Sequence, residues 1–255
     1  MKKFPFPRAP NPLKLLKHWK NAHTGILTYS CIIGAVCNIV RCEQMSNIYV
    51  FDLDGTLVDS MSRFKNGVLK ILDEEGIAYG DDIIEILTPL GYQKTAEYYR
   101  NVLGVRGSVE EIMRRIEETL IEEYSTNIFP KAGVVQYLHT LHEKGARLFV
   151  LTASSHSTTD VCLQNNGLFD LFERVWSVDD FGLSKSDTRL FFEVAESIGC
   201  SPADIHYFDD NETALKSAKT AGYKTYAIYD AHPAAAVEQM KQRYDVFLKS
   251  FEELL

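Results

Sequence analysis

The chain has 255 residues, 45% apolar, 24% charged and 11% aromatic, with a formal net charge of -8. That composition excludes a disordered chain, a collagen-like repeat and a disulfide-stapled mini-protein, and the length leaves room for one large domain or two modest ones. The charge divides unevenly: residues 1–44 carry seven Lys/Arg and one acid, a net +6, whereas the remainder carries 20 basic and 34 acidic residues, a net -14.

The basic head opens Met-Lys-Lys, passes through Pro5, Pro7, Pro10 and Pro12, and ends in an apolar run from Ile26 to Val40. That run is broken by Thr28, Tyr29, Ser30, Gly34 and Asn38. It falls short of the roughly 20 apolar residues that cross a bilayer. The long basic stretch and the lack of a small-x-small site also speak against a secretory signal. Residues 1–45 are therefore expected to form an extension outside the folded body of the chain, with translation from Met45 as the leading reading. Membrane contact through residues 26–40, a signal peptide and an ordinary extra helix are the competing ones. Cys31, Cys37 and Cys42 show no metal-ligand spacing, and Cys162 and Cys200 are the only cysteines beyond them. Lone cysteines suit a reducing compartment, so a cytoplasmic protein is expected.

From Asn47 onward, apolar runs alternate with helical stretches. Ile48–Phe51, Arg147–Leu151, Arg174–Val178, Ile205–Phe208 and Thr225–Ile228 read as buried strands. Val134–Glu143, His156–Asn166, Thr188–Ile198 and Glu212–Ala221 read as helices, each closed by a glycine at or just past its end. Strands alternating with single helices predict an α/β fold with a doubly wound, Rossmann-like parallel sheet and right-handed crossovers. Between Asp52 and Thr152 the rhythm breaks, because one crossover needs far fewer residues. Val109, Ile112, Met113, Ile116 and Leu120 form one helical stripe there, and Arg63–Glu75, Asp81–Leu87 and Gln93–Leu103 are further helical pieces, with Pro89 and Gly91 as breakers. Residues 61–128 thus read as a small helical subdomain, and 46–60 with 129–255 as the core.

In open parallel sheets, ligands bind beyond the carboxyl ends of the strands. Here the first strand ends in Asp52, followed by Asp54, Gly55 and Thr56. The second ends in Thr152, with Ser154 and Ser155 behind it, Lys185 follows the third, and the fourth ends in Asp209–Asp210–Asn211. Four carboxylates so placed repel unless something positive lies among them. An all-oxygen set suits Mg²⁺, which keeps waters and shares a substrate phosphate, while Lys185 offers a second positive point. Each piece alone has a plainer explanation: Asp-x-Asp-Gly-Thr can be a turn, and a single Thr or Lys can cap or be solvated. Their occurrence in order, at successive strand ends, favours a site.

On these residues the chain resembles the haloacid dehalogenase superfamily, with its four motifs as FDLDGTLVDS (51–60), LTAS (151–154), Lys185 within GLSKSD, and FDDN (208–211). The place of the helical insert resembles the cap of the phosphoglycolate phosphatase and β-phosphoglucomutase branch. The resemblance implies that Asp52 is a nucleophile forming an aspartyl-phosphate, and that Asp54 protonates the leaving oxygen and then activates water. It implies Mg²⁺ held by Asp52, Asp54 (through its carbonyl), Asp210 and Asp209, and phosphate held at Thr152, Ala153 and Lys185. It points to Arg63 and Lys94 in the cap as residues that meet the substrate. The chain departs from the pattern at Ser186, where relatives often have Pro, at Ala153 and Ser154 in the second motif, and at Ala214 and Leu215, where relatives often place a further Asp. The expectation is a Mg²⁺-dependent phosphatase of a small phosphorylated metabolite, phosphoglycolate-like or a sugar phosphate, with no nucleic acid or obligatory protein partner. A β-phosphoglucomutase-like mutase and a non-catalytic regulatory protein on the same scaffold are the alternatives.

Overall fold

Ile48–Phe51 (β1) has no polar interruption and can only be satisfied with both faces covered; it lies in the middle of the sheet. The computed structural model describes residues 47–87 and 90–255, so the readings of residues 1–45 and of the break at Thr88–Pro89 lie outside the described residues. Around β1 are Arg147–Thr152 (β2), Arg174–Ser177 (β3), Ile205–Asp209 (β4), Lys224–Ile228 (β5) and Val246–Leu248 (β6), in the order β3-β2-β1-β4-β5-β6. Every pairing is parallel. Phe51 pairs with Val150 on one side and Phe208 on the other, so Asp52 just past β1, Thr152 at the end of β2 and Asp209 at the end of β4 emerge at one edge. The strand order reverses between β1 and β4, which is where such sheets open a crevice.

Side chains alternate strictly along β1. Ile48 and Val50 join Leu151, Phe191, Val194 and Tyr207 on one face, and Phe51 joins Phe208, Leu138 and Phe251 on the other. The second cluster runs without a break into Ile112, Ile116, Leu120, Val68 and Leu72. Those residues belong to the insert, which consists of Met61–Glu75 (α1), Ile83–Leu87 (α2), Gly91–Tyr98 (α3) and Val109–Thr126 (α4). The single helix expected over 93–103 is instead α3 followed by a π-helical turn, Tyr99–Leu103. Tyr99 is fully buried there and donates to the Val68 carbonyl at 2.6 Å. A reciprocal Ser108–Glu111 capping box starts α4. Gly67 of α1 meets α4 closely, since a Cβ at that point would lie 2.8 Å from Leu120 Cδ2.

The remaining helices are Val134–Glu143 (α5), His156–Asn165 (α6), Thr188–Ile198 (α7), Glu212–Ala221 (α8) and Ala234–Arg243 (α9). α9 and β6 were not expected from the sequence. β6 is three residues long and only partly buried, too short to show a period, and α9 buries only Met240. Three hydrogen bonds tie α4 and the turn after it to α6 and its end: Ser157 Oγ to Glu117 at 2.7 Å, Asn165 Nδ2 to the Ser125 carbonyl at 2.6 Å, and Asn166 Nδ2 to the Ile128 carbonyl at 3.0 Å. Cys162 is buried, which pushes its thiol up to about 12, as expected of an inert packing residue. Among the described residues, no helix is long and apolar enough to cross a membrane.

The C-terminal turn Phe251–Leu254 lies against Gly133, whose φ is +81° and whose Cβ, if present, would sit 2.5 Å from Glu252 N and 2.7 Å from Phe251 C. Gly133→Ala is therefore expected to lower the unfolding free energy by about 2–4 kcal/mol, from left-handed strain and backbone overlap together. Urea unfolding measures this; an unchanged midpoint would show that the turn does not press on Gly133.

Candidate active site

The Asp52 amide extends the sheet ladder by donating to the Phe208 carbonyl at 2.8 Å, which fixes Asp52 at the mouth of the crevice, 5% exposed. The chain then turns sharply: Leu57 N and Val58 N both donate to the Leu53 carbonyl, at 2.9 and 3.0 Å. Gly55 takes φ +75° in this turn, and a Cβ there would lie 2.8 Å from Asp210 Oδ2 and 3.0 Å from Asp230 Oδ2. Only glycine lets two carboxylates approach the backbone so closely at that angle.

Lys185 reaches in from the loop before α7. Its Nζ pairs with Asp52 and, at 2.9 Å, with Asp209 Oδ2. The same Asp209 oxygen accepts the Tyr207 hydroxyl, and its other oxygen accepts Asn211 N at 2.7 Å. Asn211 in turn caps α8 through Thr213 N and Ala214 N. Asp210 accepts a long contact from Thr56 Oγ1, at 3.4 Å. Asp54 is held by Tyr124 Oη at 2.5 Å and Ser154 Oγ at 2.6 Å, while Ser154 N donates to Thr152 Oγ1 at 3.0 Å. Behind the first-motif turn, Lys131 Nζ donates to the Gly55 carbonyl, to Tyr229 O at 3.1 Å and to Asp230 Oδ1 at 2.8 Å.

Asp52, Asp209 and Asp210 present ligand oxygens within 4.8 Å of one another. Among the described residues, one ammonium, that of Lys185, pairs with this trio, so ionising all three carboxylates leaves an excess of two negative charges. Burial and then the neighbouring acids Asp209, Asp210 and Asp54 raise the Asp52 carboxyl, with Lys185 opposing them. Burial followed by Asp209 and Asp230 lifts Asp210 to about 7. Burial works against the Lys185 charge, yet Asp209 and Asp52 outweigh it and hold the ammonium above the usual lysine value. Hard oxygen donors with two uncompensated charges match a divalent cation such as Mg²⁺ in both donor type and charge.

The structure thus brings Asp52, Asp54, Lys185, Asp209 and Asp210 to one rim, with Thr152 beside them through Ser154 and Ala153 exposed in the turn between. Asp209 differs from Asp210 in that both its oxygens already accept protein donors. Arg63 is exposed and lines a cavity of about 570 Å³ with Phe129, Lys131, Tyr229 and Lys249. Lys94 is exposed on α3. Among the described residues, no side-chain hydrogen bond or ion pair joins either to the motif residues; Arg63 is tied to them through its backbone amide, which donates to the Ser60 carbonyl at 3.0 Å. Sequence reasoning missed Lys131, Tyr124 and Tyr207. Tyr124 had a signal, lying four residues beyond Leu120 on the α4 stripe. Lys131 had none, because its partners at Gly55 and Asp230 lie 76 and 99 residues away.

The family model for haloacid dehalogenase-like hydrolases matches residues 49–228. A validoxylamine A 7'-phosphate phosphatase of Streptomyces hygroscopicus is 22% identical over 211 residues, covering 82% of this chain and 96% of the relative. A phosphoglycolate phosphatase of Cereibacter sphaeroides is 27% identical over 199 residues, covering 75% and 88%. The crystal structure of CbbY from Rhodobacter sphaeroides in complex with phosphate superposes with a TM-score of 0.68 at 18% identity, over 82% of this chain and 96% of that one. The last likeness is one of fold.

Two consequences are measurable. The folded-state pKa of Asp210, about 7, lies above that of an unfolded Asp, about 3.9. Its contribution to stability is therefore fully present below about pH 4 and is lost as pH rises through about 7. In chelator, wild type should lose about 2–4 kcal/mol relative to Asp210→Asn across that window. Urea unfolding at pH 4–8 checks it, and parallel curves for the two proteins would refute the assignment. Lys131→Met leaves Asp230 unpaired, at 15% side-chain exposure. It should cost about 1–3 kcal/mol; a stability equal to wild type would mean the clamp contributes nothing.

Proposed function

The chain belongs to the haloacid dehalogenase-like hydrolase family and is a phosphatase, and we propose that it releases phosphate from a small phosphorylated metabolite, phosphoglycolate-like or a sugar phosphate, through phosphorylation of Asp52. The observation that carries this reading is Asp52 itself: a buried carboxylate at a strand end, paired with Lys185 inside an acidic cluster that lacks two positive charges. The named relatives act on compounds of this kind, which supports a small phosphomonoester rather than a macromolecule.

In the first step an Asp52 oxygen attacks phosphorus, the bond from phosphorus to the leaving oxygen breaks, and Asp54 gives that oxygen a proton. In the second, water attacks the phosphorus of the acyl phosphate, Asp54 takes the proton, and the bond to Asp52 breaks, freeing phosphate and restoring the carboxylate. Lys185, fixed between Asp52 and Asp209, faces the phosphate oxygens with the Thr152 hydroxyl and the Ala153 backbone. Asp52 and Asp210 would hold Mg²⁺ through their side chains and Asp54 through its carbonyl, with Asp209 completing the acidic set and fixing Lys185. When bound, the ion supplies positive charge to the phosphate oxygens and favours the ionised form of Asp52.

Residues 61–128 act as a cap that closes over the substrate and excludes water, with Arg63 and Lys94 meeting the part of it remote from the phosphate. Residues 46–60 and 129–255 form the catalytic core. The unpaired Cys162 and Cys200 suit the cytoplasm.

Asp52→Asn should lower Mg²⁺-dependent phosphate release from p-nitrophenyl phosphate by at least ~10³-fold. Near-wild-type turnover in that variant ends the proposal. Chelation should abolish activity and Mg²⁺ restore it. A panel of phosphorylated metabolites then identifies the substrate class, and isomerisation of a hexose 1-phosphate without phosphate release would replace the phosphatase reading by a mutase.

A further inference from the structure

The Asp54 carboxylate is gripped from two directions. Ser154 Oγ, in the turn after β2, donates to Oδ2 at 2.6 Å, and Tyr124 Oη, near the end of α4, donates to Oδ1 at 2.5 Å. The first donor belongs to the core and the second to the helical insert. Hydroxyl-to-carboxylate bonds of this length are the charge-assisted kind, shorter and stronger than neutral ones. Tyr124 is 3% exposed and continues the buried stripe Ile112, Ile116, Leu120, so its ring is set by packing before its hydroxyl is used. The helix that carries it is fastened to α6 at Glu117 and Ser125, on both sides of Tyr124.

A carboxylate with one oxygen bonded cannot shift sideways freely but can still rotate about its terminal torsion, which is broad and roughly two-fold. Bonding both oxygens from opposite sides removes that rotation. Each oxygen keeps a second lone pair, so the group stays able to bind and release a proton. We propose that Tyr124 is a positioning residue for Asp54: through its hydroxyl the insert sets the orientation in which Asp54 hands a proton to the leaving oxygen, with Ser154 as the fixed point on the core. The inference rests on the reading of Asp54 as the acid/base of the proposed phosphatase reaction. It makes leaving-group protonation depend on where α4 sits, so the insert contributes to the chemical step as well as to enclosure.

The test uses the full chain. Tyr124→Phe keeps the ring and removes only Oη, so its melting temperature should stay close to wild type. Proton donation matters most for a poor leaving group, and general acid catalysis contributes about 10²–10⁴-fold. The variant should therefore lose less than about 3-fold in kcat/KM on p-nitrophenyl phosphate but at least about 10-fold on phenyl phosphate, the poorer leaving group of the two. In an Asp54→Asn background, adding Tyr124→Phe should change neither value, because the phenol acts through Asp54. Equal losses on both substrates, or the same loss with and without Asp54, would make Tyr124 a packing residue and overturn the inference while leaving Asp54's role standing. If Asp54→Asn alone shows no selective loss on phenyl phosphate, the acid/base reading falls first, and this inference with it.

Discussion

The ammonium of Lys185, shared between Asp52 and Asp209, is the contact on which the rest of the site depends. β1 and β4 are neighbours in register, so the carboxylates that follow their last apolar residues are forced together. Without an interposed cation, two acids in so dry a place could not both remain ionised. Much of the surroundings manages this crowding. Tyr207 and Asn211 N spread the charge of Asp209, Gly55 makes room for Asp210, and Lys131 neutralises Asp230, which otherwise adds to the same field. The negative charge that remains matches a divalent cation in sign and donor type.

Beneath the rim lies an aromatic floor. Phe208 stacks on Tyr226 at 4.2 Å between centroids, lies 4.7 Å from Phe51, and contacts Phe251 at 5.8 Å. Phe51 and Phe208 immediately precede Asp52 and Asp209, so the polar and apolar halves of the site share the same two strands. Rigid rings that cannot change volume are a suitable base for carboxylates whose useful orientation is narrow.

The parallel sheet was legible because both faces of its strands are buried, which leaves long apolar runs, and because each run ends abruptly in a polar residue. Asp52, Thr152 and Asp209 stand out for the same reason: they are where burial stops and the crevice begins. β6 and α9 were not legible, since an edge strand of three residues and a helix burying one methionine carry little periodic signal. The π-turn after α3 was hidden because helical periodicity does not distinguish a local widening around the buried Tyr99. Lys131 and Tyr124 owe their roles to partners far along the chain, and no local pattern encodes a lysine that clamps three separated segments. Charge on the surface of a motif is readable in one dimension; the scaffolding that aims it is not.

The three hydrogen bonds that tie α4 and the turn after it to α6 and its end bear on how this site can open. A lid joined only by two linkers swings as a rigid flap, but α4 is stitched along a core helix by Ser157 and Asn165, and Asn166 holds the turn after it. Under the closure proposed above, opening either breaks this seam or leaves α4 in place while α1 slides over it. The second course is a shear, small in amplitude, passing Gly67, where a Cβ would lie 2.8 Å from Leu120 Cδ2. An enzyme that opens by shear admits ligands through a slot rather than a gate. The width of that slot, more than the chemistry at Asp52, would then decide which phosphate esters get in.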